Sequence, residues 1–368
     1  MEALVSVRGE AGWRGRRVFL TGDTGFKGSW LALWLAELGA EITGYALPAP
    51  TQPSLFEEAR VGELIRHIDG DIRDLAALEA AMAEAQPELV LHLAAQPLVR
   101  LSYSEPVETF ATNVMGTAHL LDAVRRTPSV RAVICVTSDK CYENREWVWP
   151  YRENDPMGGH DPYSASKGAS ELVVSAYRRS YFSDPSGPLI ASVRAGNVIG
   201  GADWALDRLI PDIVRALAAG QRPLIRSPGS VRPWQHVMEA LGGYIVIAER
   251  LLAGDASVAT GWNFGPADDD TRPVGWIVER MLERWGLPVD AWDKPEGPQP
   301  HEATLLKLDC SKARNELGWR PAMNLPQALD AIVDWHRSVD GGEDARAATL
   351  RQIAAYREVA DRTRAWAI

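Results

Sequence analysis

Cysteine is scarce in this chain of 368 residues: Cys135, Cys141 and Cys310 are the only three. They are too few and too scattered for a disulfide framework, which predicts a reducing compartment. Apolar runs stay short of the ~20 residues that cross a bilayer. The start, Met1-Glu-Ala-Leu-Val, has no basic stretch leading into an apolar one. Together these predict no membrane association and a cytoplasmic protein. Lys and Arg form no stripe and the formal net charge is −10, so nucleic acid is not an expected partner. The seven histidines show no ligand spacing, and no metal is predicted. Repeats and low-complexity segments are absent. Tryptophan is plentiful, at fourteen residues, enough to fill a core and to line a sugar pocket.

What is present is an alternation of short apolar strands and helical stretches. Strands are predicted at 17–21, 41–46, 66–68, 89–95, 132–138 and 189–195, and helices at 76–85, 107–126 and 163–181. That order predicts an α/β fold, a Rossmann-like doubly wound parallel sheet covered on both faces by right-handed crossovers. From about residue 197 the chain turns loop-rich, with Gly200-Gly-Ala-Asp-Trp204, Arg222-Pro-Leu-Ile-Arg226 and Arg232-Pro-Trp-Gln-His236. This predicts a smaller, mainly C-terminal substrate-binding domain. A helix over 236–252 returns to the main sheet, so the domains are discontinuous: 14–196 plus 236–262, and 197–235 plus 263–340. Residues 341–368 form a helical segment of unread role.

Ligands of such sheets bind at the carboxyl ends of the strands, and the motifs fall there. Gly22-Asp-Thr-Gly25-Phe-Lys-Gly28 separates the first strand from the first helix, where glycines allow a tight turn and close approach of backbone N–H groups to a pyrophosphate. Its spacing is G-x-x-G-x-x-G and not the commoner G-x-G-x-x-G. Tyr163 and Lys167 lie four apart, on one face of a helix. The ammonium is expected to draw the phenol towards neutrality and make it a base. Ser138, Asp139 and Lys140 end the strand that would face them, a hydroxyl, an acid and an amine beside an oxidation site.

On these motifs the chain resembles the extended short-chain dehydrogenase/reductase superfamily, and within it the CDP-glucose 4,6-dehydratases. The closer likeness is carried by Thr21-Gly-Asp-Thr-Gly-Phe-Lys-Gly-Ser-Trp30, His92-Leu-Ala-Ala-Gln-Pro-Leu-Val-Arg100, Thr137-Ser-Asp-Lys-Cys-Tyr-Glu-Asn144, Tyr163-Ser-Ala-Ser-Lys-Gly168, Arg194-Ala-Gly-Asn-Val-Ile-Gly-Gly201 and Arg232-Pro-Trp-Gln-His-Val237. An Asp-Glu pair would stand at 139–140 in the dTDP-glucose enzymes. The resemblance implies NAD as cofactor, held by Gly22, Thr24, Gly25, Phe26, Lys27, Gly28, Asp71, Ile72, Leu93, Ala94, Ala95, Gln96, Tyr163 and Lys167. It implies a CDP-glucose substrate contacted by Arg100, Asn197, Arg208, Arg232 and Gln235, and a homodimer or homotetramer. It also implies a place in deoxysugar biosynthesis for surface polysaccharide. One departure stands out: no carboxylate follows the second strand in Gly44-Tyr-Ala-Leu-Pro-Ala-Pro50, where a ribose-binding acid is expected.

The implied chemistry is an internal oxidation, elimination and reduction. Tyr163, with Lys167, takes the 4-hydroxyl proton as hydride leaves C4, and Ser138 bonds the 4-oxygen. The 4-keto group acidifies C5–H. Lys140 removes that proton, protonated Asp139 assists loss of the 6-hydroxyl, and hydride returns to C6. Asn113 holds a water or a backbone group in a proton relay. Another nucleotide-sugar 4,6-dehydratase or a 4-epimerase would share fold and cofactor, but an epimerase needs no elimination acid. A dinucleotide-sensing regulator would not need the Tyr-Lys pair.

Overall fold

The computed structural model describes residues 10–184, 186–295 and 306–363. Seven parallel strands form the main sheet: β1 (Arg17–Thr21), β2 (Glu41–Ala46), β3 (Arg66–Asp69), β4 (Leu89–His92), β5 (Ala132–Val136), β6 (Leu189–Ala195) and, from later in the chain, β9 (Gly261–Phe264). They lie in the order β3-β2-β1-β4-β5-β6-β9. The order reverses between β1 and β4, which opens a crevice above their carboxyl ends. Side chains alternate across the sheet. Val18, Leu20, Leu89, Leu91 and Ile134 enter one apolar layer, and Phe19, Val90, Val133 and Cys135 the other.

Helix α1 (Phe26–Glu37) buries Trp30, Leu31, Leu33, Trp34 and Leu35 in the first layer. Helix α2 (Leu75–Ala85) starts where Asp74 accepts from Ala77 N at 3.0 Å. The predicted helix over 107–126 is interrupted. Pro106–Phe110 and α3 (Gly116–Arg125) are separated by a π turn, Ala111–Met115. Hydroxyls of Thr117 and Ser170 donate to the Asn113 carbonyl, at 2.6 and 2.8 Å, and support the widened turn. Helix α4 (Pro162–Ser180) has Asp161 at its N-cap, accepting from Ser164 N at 2.9 Å, and Pro in its first turn.

Two strands end earlier than expected. Past His92 the chain leaves the ladder because Thr21 Oγ1 accepts from Ala94 N and Asn113 Oδ1 from Gln96 N. Past Val136, the Thr137 hydroxyl turns to Glu171 at 2.5 Å. These side-chain captures release the backbone into the loops of the site.

After β6 the chain leaves the sheet at Gly196. It builds β7 (Asn197–Ile199), α5 (Leu209–Ala218) and β8 (Val231–His236), returns as α6 (Val237–Leu252) into the main core, and after β9 leaves again. There β10 (Thr271–Pro273) completes a three-stranded sheet β10-β8-β7, with α7 (Val274–Trp285) and α8 (Leu325–Asp340) packed on it. Ile210, Val214, Ile277, Met281, Leu329 and Ile332 form its separate core. Helix α9 (Ala345–Thr363) lies on α1, with Tyr356 edge-on to Trp34.

Glu239 of α6 fastens that last helix. Its carboxylate accepts from Ala322 N, Met323 N and the Tyr356 hydroxyl, at 3.0, 2.7 and 2.9 Å, and burial pushes it up from the ordinary carboxylate range to about 7. A carboxyl raised on folding stabilises fully below its unfolded pKa and loses that contribution as pH rises through the folded one. Urea titrations of Glu239→Gln beside the parent at pH 5 and pH 8 should therefore show the parent losing ground to the variant at the higher pH, by on the order of 1–3 kcal/mol. Parallel pH dependence in the two proteins would refute the assignment.

Candidate active site

The glycine loop closes against β4. Gly22 has φ +78°, and a Cβ there would fall 2.7 Å from Ala94 N, while one on Gly28 would fall 2.0 Å from Gly22 O. Only glycine permits this approach. Gly25 occupies the N-cap of α1 without a side-chain cap, so the positive end of the helix faces a glycine-lined cradle. The Thr24 hydroxyl donates to Leu47 O at 2.9 Å. This cradle fits a dinucleotide pyrophosphate. Phe26 packs near Gly200, 3.0 Å from the Cβ that glycine lacks.

Leu93, Ala94, Ala95 and Gln96 form the wall opposite. Leu93 N donates to Thr21 O. Asn113 accepts from Gln96 N at 2.8 Å and donates to Gln96 O at 3.1 Å and to Ser166 Oγ at 2.8 Å. Both of its amide groups are thereby engaged, and Asn113 is a clamp between the wall and α4. A water-holding relay role does not fit that bonding, whereas the backbone-holding alternative does. Asp71 has its carboxylate held by Arg73 Nε at 2.9 and 3.0 Å, which keeps it below the usual carboxylate range. Ile72 is buried against Gly116.

Ser138, Asp139 and Lys140 leave β5 as a short 3₁₀ turn, with Ser138 Oγ donating to Asp139 at 3.1 Å and accepting from Lys140 N at 3.2 Å. The turn meets α4. Tyr163, Ser138, Asp139 and Lys167 are all buried, and Tyr163 is hydrogen-bonded with Ser138. Burial raises the Asp139 carboxyl despite the nearby Lys140 and Lys27. Burial of this kind favours the neutral form of a carboxyl.

The expectation that Lys167 draws the Tyr163 phenol down is not met. Burial pushes the phenol up to about 12, opposed by the Ser138 hydrogen bond and by the charge of Arg208. Lys167 itself is driven by burial down to about 8. Desolvation outweighs the helix-face pairing because both groups lie in the interior. Lys27 is likewise lowered by burial to about 8, among Arg208, Lys167, Asp139 and Asp203. The loop lysine therefore belongs to the charge cluster of the site.

The remaining predicted residues spread along the cleft. Arg208 pairs with buried Asp203 at 3.2 Å. Arg100 reaches Asp207 at 2.8 Å, across the cleft mouth. Asn197 opens β7 in register with Trp234, and Arg232 lies opposite Arg272 on β10. Gln235 is buried; its amide nitrogen donates to Phe264 O at 2.9 Å and ties β8 to β9, while its Oε1 has no hydrogen-bond partner among the described residues. A Cβ on Gly196 would stand 3.4 Å from Asp139 Oδ2, so the sheet's exit point borders the acid.

A supporting pair escaped the sequence reading. Glu171 of α4 meets Arg194 of β6 through two bonds of 2.8 Å. Thr137 and Ser192 hydroxyls donate to the same carboxylate, and Arg194 donates to the Tyr142 hydroxyl at 2.6 Å. The signal was available, since Tyr163, Lys167 and Glu171 recur at intervals of four on one helix face.

The chain matches the model of the GDP-mannose 4,6 dehydratase family over residues 19–332. It is 56% identical over 348 residues to a CDP-glucose 4,6-dehydratase of Salmonella typhimurium, covering 94% of this chain and 97% of that protein. It is 30% identical over 330 residues to a dTDP-glucose 4,6-dehydratase of Streptomyces antibioticus, covering 87% and 92%. The crystal structure of DesIV, a dTDP-glucose 4,6-dehydratase from Streptomyces venezuelae with NAD and TYD bound, superposes with a TM-score of 0.75 at 24% identity, over 88% of this chain and 98% of that one.

Removing one member of a buried ion pair leaves an uncompensated charge, at a cost of about 3–5 kcal/mol. Glu171→Ala should lower unfolding stability by that amount in urea titrations, and Glu171→Leu combined with Arg194→Met should recover much of it. A single variant as stable as the parent would show that the pair does not hold α4.

Proposed function

The chain belongs to the GDP-mannose 4,6 dehydratase family, and on that premise we propose that it is an NAD-dependent lyase converting CDP-D-glucose to CDP-4-dehydro-6-deoxy-D-glucose. One observation carries the reading: a Ser-Asp-Lys turn and a Tyr-Lys helix face meet at one sheet edge, in a chain alike to a CDP-glucose 4,6-dehydratase over nearly its whole length. The glycine cradle of Gly22, Gly25 and Gly28 would hold NAD, which would supply a reversible hydride acceptor beside the sugar. Tyr163, with Lys167 on the same helix face, takes the proton of the 4-hydroxyl, its charged form favoured by Arg208, while Ser138 bonds the 4-oxygen. Asp139, kept protonated by burial, passes its proton to the departing 6-hydroxyl, and Lys140 takes the C5 proton. Arg208, Arg100 and Arg232 serve the diphosphate and sugar, as bidentate donors suited to phosphate oxygens.

We assign residues 14–196 and 236–262 to the cofactor and 197–235 and 263–340 to the nucleotide sugar. No helix among the described residues is long and apolar enough to cross a membrane, and we place the enzyme in the cytoplasm. Tyr103, Val107, Phe110 and Met115, on the successive helical segments between Val99 and Met115, and Leu172, on α4, are exposed. A second copy of the chain would cover them. Sedimentation of Val107→Glu with Leu172→Glu should then report monomers where the parent forms dimers or tetramers.

Two experiments test the chemistry. CDP-glucose deuterated at C4 should give product labelled at C6, with no NADH accumulating; stoichiometric NADH would make the protein a simple dehydrogenase. Asp139→Asn should still form enzyme-bound NADH, seen by its absorbance, while the 4-keto-6-deoxy product appears about 10²–10⁴-fold more slowly. If the variant instead blocks NADH formation and still eliminates water from a supplied 4-keto sugar, Asp139 is not the elimination acid. A 4-epimerase would be favoured by a C4-inverted product with the 6-hydroxyl intact.

A further inference from the structure

Beyond the end of β2 the chain reads Leu47-Pro-Ala-Pro50, with no carboxylate to receive adenosine ribose hydroxyls. A carboxylate nevertheless reaches this strand from the glycine loop. Asp23, between Gly22 and Gly25, is fully buried. It lies over Gly44 of β2, so near that a Cβ there would fall 2.3 Å from Oδ2 and 2.9 Å from Oδ1. Glycine at 44 is what leaves room for it. Oδ2 is held by Nδ1 of His67 at 2.6 Å, and His67 is the β3 residue in register with Gly44. The far side of the same imidazole, Nε2, lies 3.2 Å from Asp69. Oδ1 is buried and has no hydrogen-bond partner, a costly state for a carboxylate oxygen. The Thr24 hydroxyl pins the loop to Leu47 O at 2.9 Å, so the orphaned acceptor sits beside the strand end where the ribose of a bound dinucleotide belongs.

We propose that Asp23, steadied by His67, takes the place of the missing strand-end acid: it accepts from the adenosine ribose and its charge repels a 2′-phosphate, so that this chain selects NAD over NADP. The proposal rests on the cofactor reading above. His67 opposes the burial that raises the Asp23 carboxyl, which favours the charged, accepting form. A 2′-phosphate brought against that charge in a water-poor pocket meets like-charge repulsion that salt screens only weakly. The selectivity thus comes from the turn itself and from a histidine one strand further out.

Equilibrium titration of the purified protein with NAD+ and with NADP+, followed by tryptophan fluorescence, tests this without turnover. The parent should prefer NAD+. Asp23→Asn should weaken NAD+ about tenfold and narrow the NAD+/NADP+ ratio by about tenfold or more. His67→Gln, which keeps the carboxylate, should retain the preference for NAD+. Should Asp23→Asn melt well below the parent, Asp23→Ser with His67→Leu removes the charge without stranding the imidazole and carries the same expectation. An unchanged ratio in a folded Asp23 variant overturns the proposal alone, whereas a parent that prefers NADP+ overturns it together with the reading of NAD as cofactor. A parent that binds neither dinucleotide overturns the cofactor reading together with it.

Discussion

The two-bonded contact between Glu171 and Arg194 joins α4, which carries Tyr163 and Lys167, to β6. Neither charge could stay in the interior alone, because desolvating an ion costs several kcal/mol unless its hydrogen-bonding capacity is met. Here it is met, by Thr137, Ser192 and Tyr142. Glu171 shares a helix face with Lys167 and Tyr163. The rotation of α4 that satisfies the carboxylate is therefore the rotation that turns the phenol and the amine towards Ser138. Thr137 is both a donor to Glu171 and the residue before Ser138, so one carboxylate fixes both walls of the reaction cleft.

The second constraint is the handover between the layers. The chain leaves β6 at Gly196, beside Asp139, and the elements it then builds return through α6. Trp30, on the cradle's own helix, donates to Gly201 O at 3.0 Å, and Gly201 packs on Trp335 of α8. The cofactor cradle and the substrate-facing layer thus share one rigid seam. Gln235 belongs to this seam as well. Its amide nitrogen spans β8 and β9, and its Oε1 is left without a partner among the described residues.

Much of the fold was legible because its signals are local. Apolar runs bounded by glycine located β1, β2 and β6 to the residue, and the glycine loop and the 163–167 pair placed the site at the strand ends. The misreadings came from interactions distant in sequence. Asn113 captures Gln96 and ends β4 early, and no propensity of residues 93–95 announces that. The π turn depends on hydroxyls of Thr117 and Ser170, one of them on another helix. Spacing put Tyr163 and Lys167 on one face of a helix, yet it carries no information on depth, and depth decides that the phenol rises instead of falling. Glu171 and Arg194 were unread because each looks ordinary until its partner is known.

The charges gathered at the cleft have a kinetic consequence. Lys27, Lys140, Lys167 and Arg208 gather with Asp139, Asp161 and Asp203, and burial keeps Asp139 towards its neutral form. In a chain whose formal net charge is −10, this makes a small positive funnel set in a negative surface. Low-dielectric walls focus such a field outward through the opening. A dianionic diphosphate is repelled by most of the molecule and drawn in at one point. Its encounter rate should therefore fall steeply with ionic strength.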